Sequence, residues 1–259
     1  MVETIKGGEK MTLKGVILAG GTGSRLQPLT NVTNKHLLPI YNKPMIYYPI
    51  ETLKSAGIKD ILVITGKDHA GDVFKLLGSG KDFGVNFTFK VQDEAGGLPQ
   101  AIGLASDFAH DSKFVSINGD NILFESIKTA ANEFESSEDQ SKVLLYEGTK
   151  EEAMSAGVAV FDDDGKVTEV IEKPKNPPTN QIVIGVYFYT PDVFEIIKGL
   201  KPSARGELEI ADIHNHYIKQ GKLSATKLTK HWLDAGTIDE LASVNTYIHK
   251  HSTELDGKE

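Results

Sequence analysis

The chain has 259 residues, no cysteine and a formal net charge of −8. That length suits one large domain or two small ones, and the missing cysteines exclude a disulfide framework, a thiolate metal site and a cysteine nucleophile. Lysine and arginine are mixed among the acidic residues rather than gathered in blocks, so a nucleic-acid phosphate track is disfavoured and any phosphate binding must come from a few focused residues.

The longest apolar runs, such as Val16 to Ala19 and Ile61 to Ile64, are strand-sized and far short of a bilayer span, so no membrane partner is expected. Residues 1–13 read as an N-terminal extension with neither the apolar stretch nor the basic leader of a secretory signal. With the absence of cysteine, this fits a cytoplasmic protein.

In chain order, Lys14–Ala19, Ile61–Thr65, Val85–Val91 and Phe114–Ile117 read as strands, and Met45–Ala56, Ala70–Leu77 and Leu98–Asp107 as helices. This alternation argues for βαβ units around a largely parallel sheet. Gly57 and Gly78 stand where helix C-terminal caps are expected. Beyond Asp120 a helix is expected near Phe124–Phe134, followed by β-rich segments at Val143–Glu147, Gly157–Phe161, Val167–Ile171 and Ile182–Tyr189. Within them Asp162-Asp163-Asp164-Gly165 is hairpin-turn chemistry rather than a calcium site. Helices at about Glu207–Lys219 and Ile238–His249, with a strand near Leu223–Leu228 between them, complete the chain. The expected class is α/β, a mixed and mostly parallel sheet flanked by helices.

The sharpest local feature is Leu18-Ala19-Gly20-Gly21-Thr22-Gly23-Ser24-Arg25-Leu26, directly after the first strand. Glycines there let backbone N–H groups approach phosphate oxygens without Cβ clashes. The spacing is not that of a dinucleotide fold, and the Lys-Ser/Thr ending of a Walker loop is absent; Arg25 follows the glycines instead. Ten residues after Arg25, Lys35-His36-Leu37-Leu38-Pro39 offers a second cation. Asp120 ends an apolar strand and Asp234 lies before a small-residue turn, so each suits either a capping role or a metal site. His214 and His216, two apart on a helix, face different sides and read as surface histidines rather than metal ligands.

These blocks together resemble the sugar-1-phosphate nucleotidyltransferases, whose signature Gly-Gly-x-Gly-x-Arg-Leu followed by Lys-x-Leu-Leu-Pro matches Gly20 to Leu26 and Lys35 to Pro39. The likeness is strongest to the thymidylyltransferase branch. It continues through Gln92 with Gly97, Asn118-Gly119-Asp120-Asn121, Glu172-Lys173-Pro174, Gly185 to Tyr189, Arg205-Gly206-Glu207 and Trp232 to Thr237. His36, Asn118 and Ile184 differ from the residues usual in that branch.

The resemblance implies a Rossmann-like nucleotidyltransferase domain over residues 14–250, with an N-terminal nucleotide half and a C-terminal sugar-phosphate half. It further implies catalytic roles for Arg25, Lys35 and Asp120, with Asp120 and Asp234 as ligands of Mg2+. Nucleotide contacts would come from Leu18, Ala19, Gly20, Gly21, Thr22, Gly23, Gln92 and Gly97, and sugar-phosphate contacts from Gly157, Glu172, Lys173, Gly185 and Arg205. The expected substrates are dTTP and a sugar 1-phosphate, glucose 1-phosphate first among them. UTP as donor, a non-catalytic nucleotide-sugar sensor, a glycosyltransferase and a homo-oligomeric state all stay open.

Overall fold

The computed structural model describes residues 13–94, 96–204 and 206–256. The chain enters through β1 (Lys14–Ala19) and runs through the glycine-rich segment and a series of 3-10 turns into a two-residue ladder of β2 (Pro39–Ile40) and β3 (Lys43–Pro44). It then alternates as α1 (Tyr47–Ser55), β4 (Asp60–Gly66), α2 (Ala70–Leu77), β5 (Asn86–Gln92), α3 (Leu98–Gly103) and β6 (Phe114–Asn118). The second half comprises β7 (Asn121–Leu123), α4 (Lys128–Ser136), β8 (Ser141–Glu147), α5 (Lys150–Ala153), β9 (Gly157–Phe161), β10 (Val167–Glu172) and β11 (Gln181–Tyr189). After it come α6 (Val193–Gly199), α7 (Ile210–Lys219), β12 (Leu223–Lys227), β13 (Trp232–Asp234) and α8 (Ile238–Asp256).

One mixed sheet carries the fold, in the order β10-β9-β11-β6-β1-β4-β5, with β8 paired to β11 and β12 to β8. Strands β6, β1, β4 and β5 are mutually parallel, as the βαβ rhythm requires, whereas β11 runs antiparallel to β6, β8 and β9. Alternate residues of β1 enter opposite cores, Ile17 and Ala19 on one face and Val16 and Leu18 on the other. Helices cover both faces, which is why the parallel strands read as continuous apolar runs rather than alternating ones.

A third apolar cluster, with Leu26, Ile40, Met45, Tyr48, Ile122, Leu241 and Ile248, binds α8 to the small β7–β13 ladder. Three paired residues do not hold a ladder in water. Burying each such side chain stabilises by about 1.5–3 kcal/mol, so this cluster helps hold β7, which follows Asp120, against β13, which ends on Asp234.

Several expectations shift. The helix expected from Phe124 begins at Lys128, because Phe124 is buried in the third cluster and the Ser126 hydroxyl accepts the Lys128 N–H at 3.2 Å. The helix expected over 98–107 is α-helical only to Gly103. Strands β7 and β13 and helices α5 and α6 were not expected. Helix α5 opens on a capping box between Thr149 and Glu152. The hairpin turn forms as expected, with Gly165 at φ 77° and Asp162 Oδ1 accepting the Lys166 N–H at 2.8 Å. His214 is fully buried, against the surface placement expected of it, because its helix face packs on β11. Among the described residues, no helix is long and apolar enough to cross a membrane.

Candidate active site

A cleft of about 430 Å³ opens where the parallel strands end, lined by Leu18 from β1, Gln92 from β5 and Asn118 from β6. Ligand crevices form at such strand ends in open α/β sheets. Its floor is the glycine-rich loop. Gly23 has φ 65°, and a Cβ there would lie 2.8 Å from Thr30 Cγ2. A Cβ on Gly20 would lie 2.1 Å from Gln92 Oε1. Gly23 therefore needs the conformational freedom of glycine, and a side chain at Gly20 would displace the Gln92 amide.

At the centre of the cleft, Lys35 is ion-paired to Asp120 through Nζ and Oδ2, with side chains only 10% and 14% exposed. Asn34 orders this segment: its side chain caps the 3-10 turn through the His36 N–H at 2.8 Å and donates to the Ala19 carbonyl at 3.3 Å. Burial works against the charge on Lys35, but the carboxylates of Asp120 and Asp234 outweigh it and hold its pKa above the ordinary lysine value. Burial likewise opposes ionisation of Asp120, yet Lys35 pulls its carboxyl below the usual range. Asp234 goes the other way, raised by burial and then by the charge of Asp120. His36 closes the wall behind this cluster, its pKa lowered to about 3 by burial and by Lys35, so its ring is neutral.

Asn121 is the joint of the site. Its Nδ2 donates to Asp120 Oδ1 at 3.1 Å, and its Oδ1 accepts both the Gly185 N–H at 3.0 Å and the Trp232 indole N–H at 2.8 Å. Gly185 lies where the β8–β11 register shifts, and a Cβ on it would fall 2.4 Å from Asn118 Nδ2. One side chain thus ties Asp120 to two strands from the second half of the chain.

The opposite wall is more open. Glu172 ends β10 and Lys173 follows at φ 45°, a conformation that costs a non-glycine residue on the order of 1 kcal/mol. The Lys173 N–H is held by the Ala156 carbonyl at 3.0 Å, while its side chain is 47% exposed and its ammonium lies 3.8 Å from Glu172 Oε1. Gly157 and Tyr187 line the cleft beside them.

A metal ion fits the central cluster. Asp234 Oδ1 is buried without a hydrogen-bond partner beside a second carboxyl, an arrangement that a divalent cation relieves. Among the described residues no group of three or more His, Asp or Glu could hold a metal. A cation here would complete its shell from water and substrate oxygens, as magnesium does.

Of the residues expected in the site, Leu18, Gly20, Gly21, Thr22, Gly23, Arg25, Lys35, Gln92, Gly97, Asp120, Gly157, Glu172, Lys173, Gly185 and Asp234 all line this one cleft. Ala19 does not: it is fully buried in β1 behind the loop. Arg205 lies outside the described residues. Sequence reasoning gave no site role to Asn121, Tyr187 and Trp232, which also line the cleft, although each lies inside one of the blocks that carry the family resemblance.

A glycine-rich loop, a buried lysine and paired carboxylates at the strand ends of a Rossmann-like sheet are the features of a nucleotidyl-transferring enzyme. The chain matches the nucleotidyl transferase family model over residues 14–251 and belongs to that family. It is 42% identical over 237 residues to the low-salt glycan biosynthesis nucleotidyltransferase Agl11 of Haloferax volcanii, covering 91% of this chain and 66% of that one. It is 41% identical over 239 residues to the glucose-1-phosphate thymidylyltransferase of Mycolicibacterium smegmatis, covering 91% and 82%. A Bacillus anthracis crystal structure, provisionally identified as a glucose-1-phosphate thymidylyltransferase and complexed with sucrose, superposes with a TM-score of 0.86 at 49% identity, covering 91% and 95%. A UDP-glucose pyrophosphorylase complexed with UDP-glucose superposes at 0.81 with 25% identity, covering 93% and 99%.

Proposed function

We propose that the protein transfers a thymidylyl group from dTTP to a sugar 1-phosphate, glucose 1-phosphate first among them, forming a dTDP-sugar and pyrophosphate. The observation that carries this reading is the Lys35, Asp120 and Asp234 cluster at the focus of a cleft floored by the glycine-rich loop. Relatives about 40% identical over most of the chain are named for this reaction.

In the reaction a phosphate oxygen of the sugar attacks the α-phosphorus; the new P–O bond forms as the bond to the β-phosphate oxygen breaks, and pyrophosphate leaves. Two anions must be brought together, so the protein's work is positioning and charge neutralisation. In this reading backbone N–H groups of Gly20 to Gly23 cradle the triphosphate, and Arg25, at the exposed rim of the loop, and Lys35 neutralise it. Asp120 and Asp234 hold Mg2+, which when bound supplies positive charge against the phosphates. Gln92 and Gly97 face the base. Glu172, Gly157 and Gly185 hold the sugar ring, and Lys173 with Arg205 grips the 1-phosphate. The nucleotide half and the sugar-phosphate half of the single domain thus meet at the strand ends, and we place the reaction in the cytoplasm.

The likeness to UDP-glucose pyrophosphorylase supports a second reading, with UTP as donor. A lost methyl contact discriminates by only about 1–3 kcal/mol. Pyrophosphate release with magnesium, measured for dTTP, UTP, CTP, ATP and GTP against several sugar 1-phosphates, tests both. Sugar-dependent release fastest with dTTP is expected, preference for UTP selects the second reading, and no release with any pair defeats both.

A further inference from the structure

The Gln92 carboxamide is not free to choose which of its ends meets a ligand. It is 7% exposed and lines the cleft, and its Nε2 donates to Gln100 Oε1 at 2.7 Å. The same Gln100 oxygen accepts the Gly96 backbone N–H at 2.9 Å. That second bond settles the orientation of the pair. A backbone N–H can only donate, so the Gln100 atom facing it is the carbonyl oxygen; an oxygen only accepts, so the Gln92 atom facing it is the NH2 group. Gln92 is left with its carbonyl oxygen and one N–H for the cleft. Among the described residues nothing donates to that oxygen, which lies over Gly20.

Gln100 is itself fixed. It sits in the first turn of α3, on which Pro99 occupies an early position where its missing N–H costs nothing. A Cβ on Gly96 would lie 2.8 Å from Gln100 Cδ, so glycine is what allows the amide to lie flat on this loop. Gly97, at φ 96°, abuts Leu208, where a Cβ would meet the carbonyl oxygen at 2.5 Å; the Gly96 carbonyl accepts the Leu208 N–H at 3.2 Å. The loop that orients Gln100 is thereby anchored to the segment before α7.

We propose that Gln100 is a positioning residue that sets base specificity by locking the Gln92 amide with its oxygen toward the base. The proposal rests on the assignment of Gln92 to the base. An amide so locked matches an imide edge, accepting N3–H and donating to the adjacent carbonyl of thymine or uracil. Cytosine offers the reverse pattern, an N3 acceptor beside an amino group, and matches only a flipped amide. A glutamine with no lock flips at little cost and serves both. The lock separates thymine and uracil from cytosine and does nothing to separate thymine from uracil.

The test compares kcat/KM for dTTP and CTP, with glucose 1-phosphate and magnesium, in the wild type and three variants. Gln100→Met keeps the volume and removes the acceptor; Gln100→Glu keeps an acceptor toward both Gly96 and Gln92; Gly96→Ala changes neither glutamine but displaces the Gln100 amide from the loop. The dTTP preference over CTP should narrow about tenfold or more in Gln100→Met and Gly96→Ala, through KM rather than kcat, and hold in Gln100→Glu. Calorimetric binding of dTTP and CTP to the same proteins reads the lock without turnover and should show the same narrowing. An unchanged ratio in an active or nucleotide-binding Gln100→Met protein overturns the proposal, as does equal narrowing in Gln100→Glu. A wild type that turns over no nucleotide defeats the functional reading instead, and leaves the binding ratio to decide the lock.

Discussion

The two walls of the cleft are built on different principles. In the wall made by the glycine loop, Lys35 and the β6–β7 junction, the central ion pair is buried, with Lys35 and Asp120 only 10% and 14% exposed and braced by Asn34 and Asn121, while Arg25 stands at its exposed rim. The wall made by β9 to β11 presents Lys173 at 47% exposure, with Glu172 as a distant partner at 3.8 Å. Buried charges act in a low dielectric and need no reorganisation when the ligand arrives, so the first wall suits the place where negative charge accumulates. Exposed charges are screened by solvent and salt, which suits a wall that meets a ligand arriving from solvent.

The largest test of this contrast is Asp120→Asn. It removes the carboxylate that pairs with Lys35 and that would hold the cation, while the amide can still meet Asn121. Turnover should fall by roughly 10²–10³, with far-UV circular dichroism unchanged. Turnover within a few-fold of wild type would take Asp120 out of the chemistry. A smaller effect of a different kind is expected on the other wall. Lys173→Ala should raise the KM for sugar 1-phosphate about tenfold, leave the KM for dTTP alone and barely move the melting temperature, since an exposed ion pair stabilises by at most about 1 kcal/mol. If Lys173→Ala instead costs as much in kcat as Asp120→Asn, the two walls do not divide the work and the contrast fails.

How far the sequence revealed this division follows from the range of the interactions involved. The parallel strands and the glycine loop were legible because apolar runs and glycine spacing are local. Asp120 and Asp234 could be named only through motif resemblance. What brings them together is the three-residue β7–β13 ladder, too short to leave a periodic pattern, and the third apolar cluster, drawn from segments as distant as Leu26 and Ile248. The bond from Trp232 to Asn121 spans 111 residues, so neither residue signals its role locally. Phe124 misled for the same reason: its apolar character looked like a helix face and serves the third cluster instead. His214 was read as a surface residue because helical spacing says which residues share a face but not which face the fold covers.

That buried histidine offers the finest test, because it lies in the packing behind the open wall, against β11. His214 Nε2 is hydrogen-bonded to the Tyr189 hydroxyl at 2.9 Å, its ring lies near parallel to that of Tyr189 and tilted against Tyr187, and its Nδ1 is buried without a partner. Burial lowers its pKa from 6.5 to about 3, so it is neutral in the folded protein, whereas in the unfolded chain it titrates normally. The sign follows from linkage: between those values the unfolded state binds one more proton, so this contribution is fully present above about pH 6.5 and is lost as the pH falls toward 3, by roughly 1.4 kcal/mol per pH unit. His36, lowered to about 3 on the first wall, adds a slope of the same sign. His214→Gln keeps a polar group near Tyr189 and removes the titration. Urea unfolding between pH 4 and 6 should therefore lose about one proton's worth of slope relative to wild type, about 1.4 kcal/mol per unit, while activity at neutral pH changes least of all the variants. An unchanged slope would mean that His214 is charged or solvated in the native state, and the packing behind the β9–β11 wall would then be as open as the wall itself.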